Sequence, residues 1–254
     1  SSASIHAAFL SARSALSPDR QLLEVHLDYP DPLVRSTAAF HLVARGWRTR
    51  AELGIDFDQI VREGDAERQQ TLAFAIGVAG ATEFGPELGR LLEDDDPDVR
   101  REAVRAMARL GDRKCLERLR ESLVDREIRK LVLRAFTSFG DRGFDFLCHS
   151  LDDPAASREV RWQLPRAIGQ FESDRAIDVL AARLPVETDG IVRTRLVAEL
   201  ERLQMLHEEI EMPREPLRQS LESFIRRGYR FMDWRCQLEK HDDPAESQSE
   251  PLDL

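Results

Sequence analysis

Aromatic residues, cysteines and long apolar runs are all scarce in this chain of 254 residues. Aromatic side chains make up only 7% of it, which is low for a β-sandwich or a β-barrel. The cysteines, Cys115, Cys148 and Cys236, lie far apart, and no two have the spacing of metal ligands. The longest nearly apolar run, residues 71–81, is too short for a bilayer span of about 20 residues. These absences predict a cytoplasmic protein that has no disulfide framework and does not insert into a membrane.

Catalytic motifs are also absent. The sequence has no Gly-rich phosphate loop, no His-Glu-x-x-His and no Gly-x-Ser-x-Gly. Its six histidines are scattered over separate segments. We therefore expect no catalysis, no cofactor and no metal site. The formal net charge of −10 disfavours nucleic acid as a partner, because an acidic chain repels phosphate backbones.

What the chain does contain is a repeat. An acidic or small residue, a few polar residues, an aliphatic residue and an arginine precede several apolar stretches with helical periodicity. The signature arginines are Arg35, Arg68, Arg100, Arg129, Arg161 and Arg193, at intervals of 33, 32, 29, 32 and 32 positions. A period of this length indicates a stacked architecture.

Each copy has the features of a helix start. Asp31 and Asp96 are expected to be N-cap residues, and the prolines that follow them suit the first helical position, where a backbone N–H would be unpaired anyway. Glycine closes several copies eleven residues after the arginine, as is typical of helix ends. A shorter amphipathic stretch lies between successive copies. Each unit is therefore predicted to be a hairpin, helix A followed by helix B.

Residues 96–112, Asp-Pro-Asp-Val-Arg-Arg-Glu-Ala-Val-Arg-Ala-Met-Ala-Arg-Leu-Gly-Asp, resemble the HEAT repeat. The resemblance implies an all-α fold, a right-handed α-solenoid of about six HEAT-type helical hairpins plus a C-terminal capping helix. The repeats are expected at about 19–46, 54–80, 83–111, 113–140, 142–171 and 173–206, and the cap at 214–238. Residues 1–238 would form this single solenoid, and the acidic tail 239–254 would be disordered.

The resemblance further implies a structural ladder, in which the aspartate and arginine of each copy bond to neighbouring repeats. Its members would be Asp31, Arg35, Asp96, Arg100, Asp125, Arg129, Asp189 and Arg193. Arg161 departs from this pattern because Ser157 stands where the aspartate is expected.

Two segments break the regularity. Pro165 lies inside the fifth helix B and is expected to kink it, since proline clashes with the carbonyl group four residues earlier. Residues 72–78 have no polar side, which indicates a helix that is buried all round. Such a helix either contacts the N-terminal segment or offers a docking site, and we favour the internal contact.

One set of polar residues suggests a binding surface. The first and fifth positions after each signature arginine share one side of helix B and lie outside its apolar stripe, so we expect them to face solvent. In three consecutive repeats they are Arg101, Arg105, Lys130, Arg134, Trp162 and Arg166. Stacking would align them as a basic stripe with one exposed tryptophan on the concave side, suited to an anionic partner.

These features favour a non-catalytic protein–protein interaction scaffold whose partner, anionic in this interpretation, binds on the concave face. Three alternatives stay open. Residues 189–229 are loosely similar to HEAT modules attached to nucleotide-transporter-like membrane proteins, which would make the chain a cytosolic regulatory domain tethered to a membrane protein. The others are a nucleic-acid-binding HEAT-like module and a HEAT-like lyase.

Overall fold

The computed structural model describes residues 2–206, 213–222 and 225–226. They form helices joined by short turns, without any strand among them. The helices are α1 Ser2–Leu16, α2 Arg20–His26, α3 Pro32–Ala44, α4 Arg50–Leu53, α5 Phe57–Glu63, α6 Ala66–Ala79, α7 Gly85–Leu91, α8 Pro97–Leu110, α9 Lys114–Glu121, α10 Arg129–Ser138, α11 Asp141–Asp152, α12 Arg158–Arg161, α13 Leu164–Gly169, α14 Asp174–Arg183 and α15 Gly190–Leu206. The predicted all-α class is confirmed, and the described residues divide into two compact units, one up to Phe171 and one from Glu172 onwards.

The predicted helix starts at the Asp-Pro pairs are present. The Asp31 side chain accepts a hydrogen bond from the backbone N–H of Leu33, and the Asp96 side chain accepts from Asp98 and Val99. These bonds satisfy N–H groups that have no partner within the helix. α8 ends at Gly111, whose φ of 61° is in the left-handed region that glycine adopts without strain.

Packing in the first unit follows the hairpin plan. The face of α8 formed by Val99, Ala103, Val104, Ala106 and Met107 is buried. The shorter helices α7 and α9 pack against it, and α10 follows as the next long helix. Alternation of short and long helices with one shared apolar core is the organisation of an α-solenoid.

The apolar helix α6 is internal, as we expected. It packs against α1, α3 and α8, and Leu72 and Ile76 are buried. Its contact with α8 is close at Gly77, where an added Cβ atom would lie 2.7 Å from the Cα of Ala106. Residues 72–78 therefore have no polar side because other helices surround them.

The N-terminal helix α1 packs against α3 and α6 through a face of small residues and is tied to α3 by polar contacts. The Nε2 atom of the buried His41 lies 2.9 Å from the Ser11 hydroxyl, and its Nδ1 lies 3.1 Å from Nη1 of Arg45. Because guanidinium can only donate, Nδ1 is the acceptor and Nε2–H donates to Ser11. Arg45 also donates to the Ser14 carbonyl at 2.6 Å. Burial, reinforced by the Arg45 charge, lowers the pKa of His41 to about 4, so the ring is neutral.

The second copy of the repeat has a different register from the predicted one. Asp65 caps α6, and four positions later stands Gln69, whereas Arg100 stands four positions after its cap, Asp96. Gln69 Nε2 donates to the Val61 carbonyl at 3.0 Å. The assignment of Arg68 as the signature residue was wrong by one position, because the cap and not the arginine sets the phase of the helix.

The fifth helix B was expected to kink at Pro165, and the structure shows a full interruption into two short helices. α12 ends at Arg161, and α13 begins at Leu164, with Pro165 as its second residue. Arg161 is the residue whose carbonyl group a proline at 165 would meet in a continuous helix, so the two segments separate there.

In the second unit, α14 packs against α15 and Glu187 organises the turn between them. Glu187 is buried, and its Oε1 accepts from the backbone N–H groups of Thr188 and Asp189 at 2.8 Å. Residues 214–222 of the predicted cap are helical. Most of the remaining cap and the whole acidic tail, 239–254, lie outside the described residues.

Candidate partner-binding surface

Four of the six predicted contact residues lie on two helices that pack against each other. Arg101 and Arg105 belong to α8, and Lys130 and Arg134 belong to α10. Arg105, Lys130 and Arg134 are exposed, and Arg101 is half-buried. We call these four residues the cationic surface.

The two halves of this surface differ electrostatically. On α8, Arg101 pairs with Asp98 one turn away, and Arg105 lies 2.9 Å from Glu102. Glu102 also accepts a hydrogen bond from Arg109 at 3.0 Å. Arg105 and Arg109 follow Glu102 by three and seven positions, so all three side chains lie on the same side of the helix. These charges are partly compensated.

On α10, by contrast, Lys130 and Arg134 form no ion pair with any residue that the structure describes. They are one helical turn apart, so their charges lie on the same side of the helix. Because both side chains are exposed, each is accessible to a carboxylate from outside the chain.

The last two predicted residues lie at the break between α12 and α13. Arg166 is exposed, but Trp162 is half-buried, with the Arg158 guanidinium 5.4 Å from its ring centroid. The indole Nε1 is buried and has no hydrogen-bond acceptor within the described residues. The predicted exposed tryptophan was therefore wrong, because the break at Pro165 ends the helix and turns Trp162 inwards. α12 and α13 pack on each other, α13 also packs on α11, and α12 contacts the short helical turn Ser122–Val124, so the alignment of Trp162 and Arg166 with the cationic surface stays a prediction.

Three of the four equivalent positions in the first two repeats, counted from Arg35 and from the originally assigned Arg68, do not face solvent. Ser36, Phe40 and Ala73 are fully buried. The ring of Phe40 packs edge-on against Phe84, with centroids 4.6 Å apart, and also contacts Phe57. The predicted exposure of Ser36, Phe40 and Ala73 was wrong because neighbouring helices cover these faces of α3 and α6, whereas Gln69 is half-buried.

The signature arginines share a local contact that the ladder prediction did not include. Four of them donate to backbone carbonyl groups six, or five and six, residues earlier, in the turn between helix A and helix B. The bonds run from Arg35 to Tyr29 and Pro30, from Arg100 to Asp94 and Asp95, from Arg129 to Leu123 and Val124, and from Arg193 to Glu187. These bonds satisfy backbone carbonyl groups in the turn that follows helix A.

Contacts between repeats are also present for part of the predicted ladder. Arg100 Nε lies 2.9 Å from Asp125 Oδ2, and Arg68 Nη2 donates to Asp31 Oδ2 at 2.7 Å. Asp189 accepts from the backbone N–H of Ile191 and so caps its own helix. For the other members, a role between repeats stays a prediction.

No metal or membrane element accompanies these surfaces in the described part of the chain. Nowhere within it do three or more His, Cys, Asp or Glu side chains form a group that could hold a metal ion. Among the same residues, no helix combines the length and apolar character that crossing a membrane requires.

Comparison with known protein families and solved structures shows which proteins this chain is similar to. The sequence profile of HEAT repeats matches residues 57–129 and 124–201. Similar solved structures include an engineered protein, with 21% identity over 73% of this chain and 96% of that chain and a TM-score of 0.29. Another is the complex of CpcE and CpcF of phycocyanin lyase from Nostoc sp. PCC7120, with 18% identity over 82% and 88% and a TM-score of 0.36. Comparison with curated proteins gives no match. The two profile matches together span more than half of the sequence, and the chain therefore belongs to the HEAT-repeat family.

Proposed function

We propose that this chain is a non-catalytic scaffold that binds an acidic region of another protein through the cationic surface. The observation that supports the proposal is the exposed pair Lys130 and Arg134 on α10, which no described residue neutralises. In a chain of net charge −10, such a pair is a local exception to the overall sign. Guanidinium and ammonium groups bind carboxylates through charge-assisted hydrogen bonds.

The neighbouring helix extends the surface. Arg105 is exposed on α8, and its carboxylate partner Glu102 is shared with Arg109, so a second carboxylate can still approach its guanidinium. Arg166 is exposed on α13 without an ion pair among the described residues. Repeat scaffolds bind through extended surfaces of this kind, to which each repeat contributes a few side chains.

The test is affinity capture from native lysate, with soluble and membrane fractions kept separate and partners identified by mass spectrometry. The baits are the native chain and the Lys130→Glu/Arg134→Glu variant. A third bait, Arg62→Glu/Arg195→Glu, reverses two exposed charges elsewhere and has the same net charge as the variant. Circular dichroism establishes that all three are folded.

We expect a protein partner that binds the native and Arg62→Glu/Arg195→Glu chains and is lost with Lys130→Glu/Arg134→Glu. Added salt should weaken the complex, since its charges are exposed. Equal capture by all three baits would contradict the proposal. Capture that disappears after nuclease treatment would favour the nucleic-acid alternative, and a partner found only in the membrane fraction would favour the tethered domain.

A further inference from the structure

A second surface, formed by helices of the A type, is lined by charged side chains, some of which form no ion pair with a described residue. α9 and α11 pack side by side and leave an open groove of about 520 Å³ between them. Its walls include Arg113, Leu116 and Arg120 from one helix and Arg142, Phe146 and His149 from the other. These residues repeat at three, four or seven positions, so each set lies along one face of its helix.

The groove has a cationic end. α9 and α11 run in the same direction, because Arg120 near the C-terminal end of α9 pairs with Asp153 just after α11, with Nη1 and Oδ2 3.0 Å apart. The cationic end is the other one, at the start of both helices. Arg113, just before α9, and Arg142, the second residue of α11, lie towards this end. Both are exposed and form no ion pair with a described residue.

Beside this end lies an apolar floor. Leu116 is buried, and the half-buried ring of Phe146 has the Arg120 guanidinium 5.9 Å from its centroid. Arg120 is held in place by its bonds to Asp153 and Glu121, at 3.0 and 2.9 Å. Part of the Phe146 ring thus faces the groove in a fixed position, where another apolar group can cover it.

We propose that this groove binds a short segment of a partner protein in which a carboxylate is followed by an apolar side chain. The carboxylate would pair with Arg113 and Arg142, and the apolar side chain would cover the accessible part of Phe146. From Arg113 to Arg120 the wall rises about 10 Å, at 1.5 Å per residue, which matches about three extended residues. The open groove between two helix surfaces favours a peptide over an enclosed small molecule.

Glu117 gives the groove a further selectivity. It is exposed in the middle of the α9 wall and forms no ion pair with a described residue. A second carboxylate at this level would meet a like charge. The groove therefore selects one acidic residue next to an apolar one and disfavours a continuous acidic run.

The experiment measures fluorescence anisotropy with labelled, acetylated and amidated peptides of defined sequence. One series separates a single Glu from a Leu by none, one or two Gly residues. Matched peptides replace Glu by Gln or Leu by Ala, and one peptide is a run of five Glu. The proteins are the native chain, Arg113→Glu/Arg142→Glu, Glu117→Gln, Lys130→Glu/Arg134→Glu and the control Arg62→Glu/Arg195→Glu.

We expect one spacing of the Glu–Leu series to bind the native chain, and both the Gln and the Ala peptides to bind more weakly. Arg113→Glu/Arg142→Glu should weaken binding by roughly tenfold or more, because it removes two charge-assisted contacts. Glu117→Gln should strengthen binding of the five-Glu peptide selectively. Arg62→Glu/Arg195→Glu, which has the same net charge as the groove variant and alters neither surface, should bind the Glu–Leu peptide as the native chain does.

Two results would overturn the groove proposal. One is a native chain that binds no member of the Glu–Leu series better than its Gln and Ala counterparts. The other is binding that survives Arg113→Glu/Arg142→Glu in a folded protein. Loss of binding with Lys130→Glu/Arg134→Glu would assign the peptide to the cationic surface and would equally reject the groove. The capture test of the cationic surface is separate, so either proposal can fail while the other stands.

Discussion

The guanidinium of Arg50 forms an ion pair with the Glu87 carboxylate, whose side chain is 1% exposed. Arg50 also donates to the Glu83 carbonyl at 3.3 Å and lies 5.3 and 5.0 Å from the ring centroids of Phe57 and Phe84. The other oxygen of Glu87, Oε2, has no hydrogen-bond partner within the described residues. Arg50 is thus the compensating charge for a carboxylate that is removed from water.

Replacing this arginine should destabilise the fold. Arg50→Leu leaves the Glu87 charge buried and unpaired, and we expect a loss of about 3 kcal/mol in the free energy of unfolding. The double variant Arg50→Leu/Glu87→Leu removes the charge as well and should recover most of that loss. Urea unfolding followed by circular dichroism measures both values. If the double variant were no more stable than Arg50→Leu, the pair would not be the cause.

A second prediction concerns the contact between α6 and α8. Replacing a helix-interior glycine by alanine normally stabilises a helix by about 1 kcal/mol. At Gly77 the new Cβ atom would lie 2.7 Å from the Ala106 Cα, so the two helices must separate. We expect Gly77→Ala to destabilise the chain by about 1–3 kcal/mol, as overpacking does. Thermal and urea unfolding test the sign.

Gly89 in α7 supplies the matched control. A Cβ atom there would lie 3.6 Å from Nε of the flexible Arg118 side chain, an ordinary contact distance. Gly89→Ala should therefore stabilise the chain by up to about 1 kcal/mol. Opposite signs for the two substitutions would identify helix contact, and not helix propensity, as the cause at Gly77. Equal stabilisation by both would mean that α6 and α8 are less closely packed.

The helix starts were predictable from the sequence because their causes are local. Asp96 and Pro97 determine the first turn of α8 through one side-chain bond and one fixed φ angle, whatever surrounds them. Pro165 determines the end of α12 in the same way. The register of α6 was missed because Arg68 mimics the signature arginine one position too early, although the cap Asp65 was visible.

The candidate sites were less predictable because burial depends on the packing of distant segments. Trp162 and Phe40 occupy positions that were assigned to solvent, yet the helix break buries part of one, and Phe57 and Phe84 cover the other. The groove lies between two helices of the A type, for which the sequence suggested no binding role. A signal was present, since Phe146 interrupts the polar side of α11, but its partner Arg120 comes from another repeat.

A third prediction follows from the low pKa of His41. In an unfolded chain a histidine has a pKa near 6.5, and burial lowers that of His41 to about 4. Above pH 6.5 the ring is neutral in both states. As the pH falls below 6.5, the unfolded chain binds a proton that the folded chain does not, so stability decreases and levels off below pH 4. At pH 5 the loss should be about 2 kcal/mol relative to pH 7.5.

Urea unfolding at several pH values between 7.5 and 5 measures this slope. The range stays above the pH at which carboxylates such as Glu24, with its pKa lowered by the bond to Arg48, lose their charge. His41→Phe should flatten the slope, whereas His149→Gln at an exposed site should keep it. An unchanged slope in His41→Phe would assign the pH dependence to other groups.

The fourth prediction tests the contact that the signature arginines share. Arg100 Nη1 donates to the carbonyl groups of Asp94 and Asp95 at 2.7 and 2.9 Å, and Nη2 donates to Glu127 at 2.6 Å. Its Nε lies 2.9 Å from Asp125 Oδ2 without hydrogen-bond alignment, so this contact is Coulombic. The planar, forked guanidinium group of Arg100 therefore joins the turn before α8 to the turn before α10.

A lysine at this position keeps the charge but not the fork, because one ammonium group cannot reach the carbonyl groups and both carboxylates at once. We expect Arg100→Lys to destabilise the chain by about 1–2 kcal/mol, the value of one or two lost bonds to a charged group. The adjacent Arg101→Lys, which alters only the pair with Asp98 on the surface, should change stability by less than about 0.5 kcal/mol. Urea unfolding gives the free energy of unfolding of both variants, and their difference shows whether Arg100 acts through the geometry of its guanidinium group or through its charge. Equal effects would mean that Arg100 acts through charge alone, and a larger effect at Arg100 would assign its role to the fork.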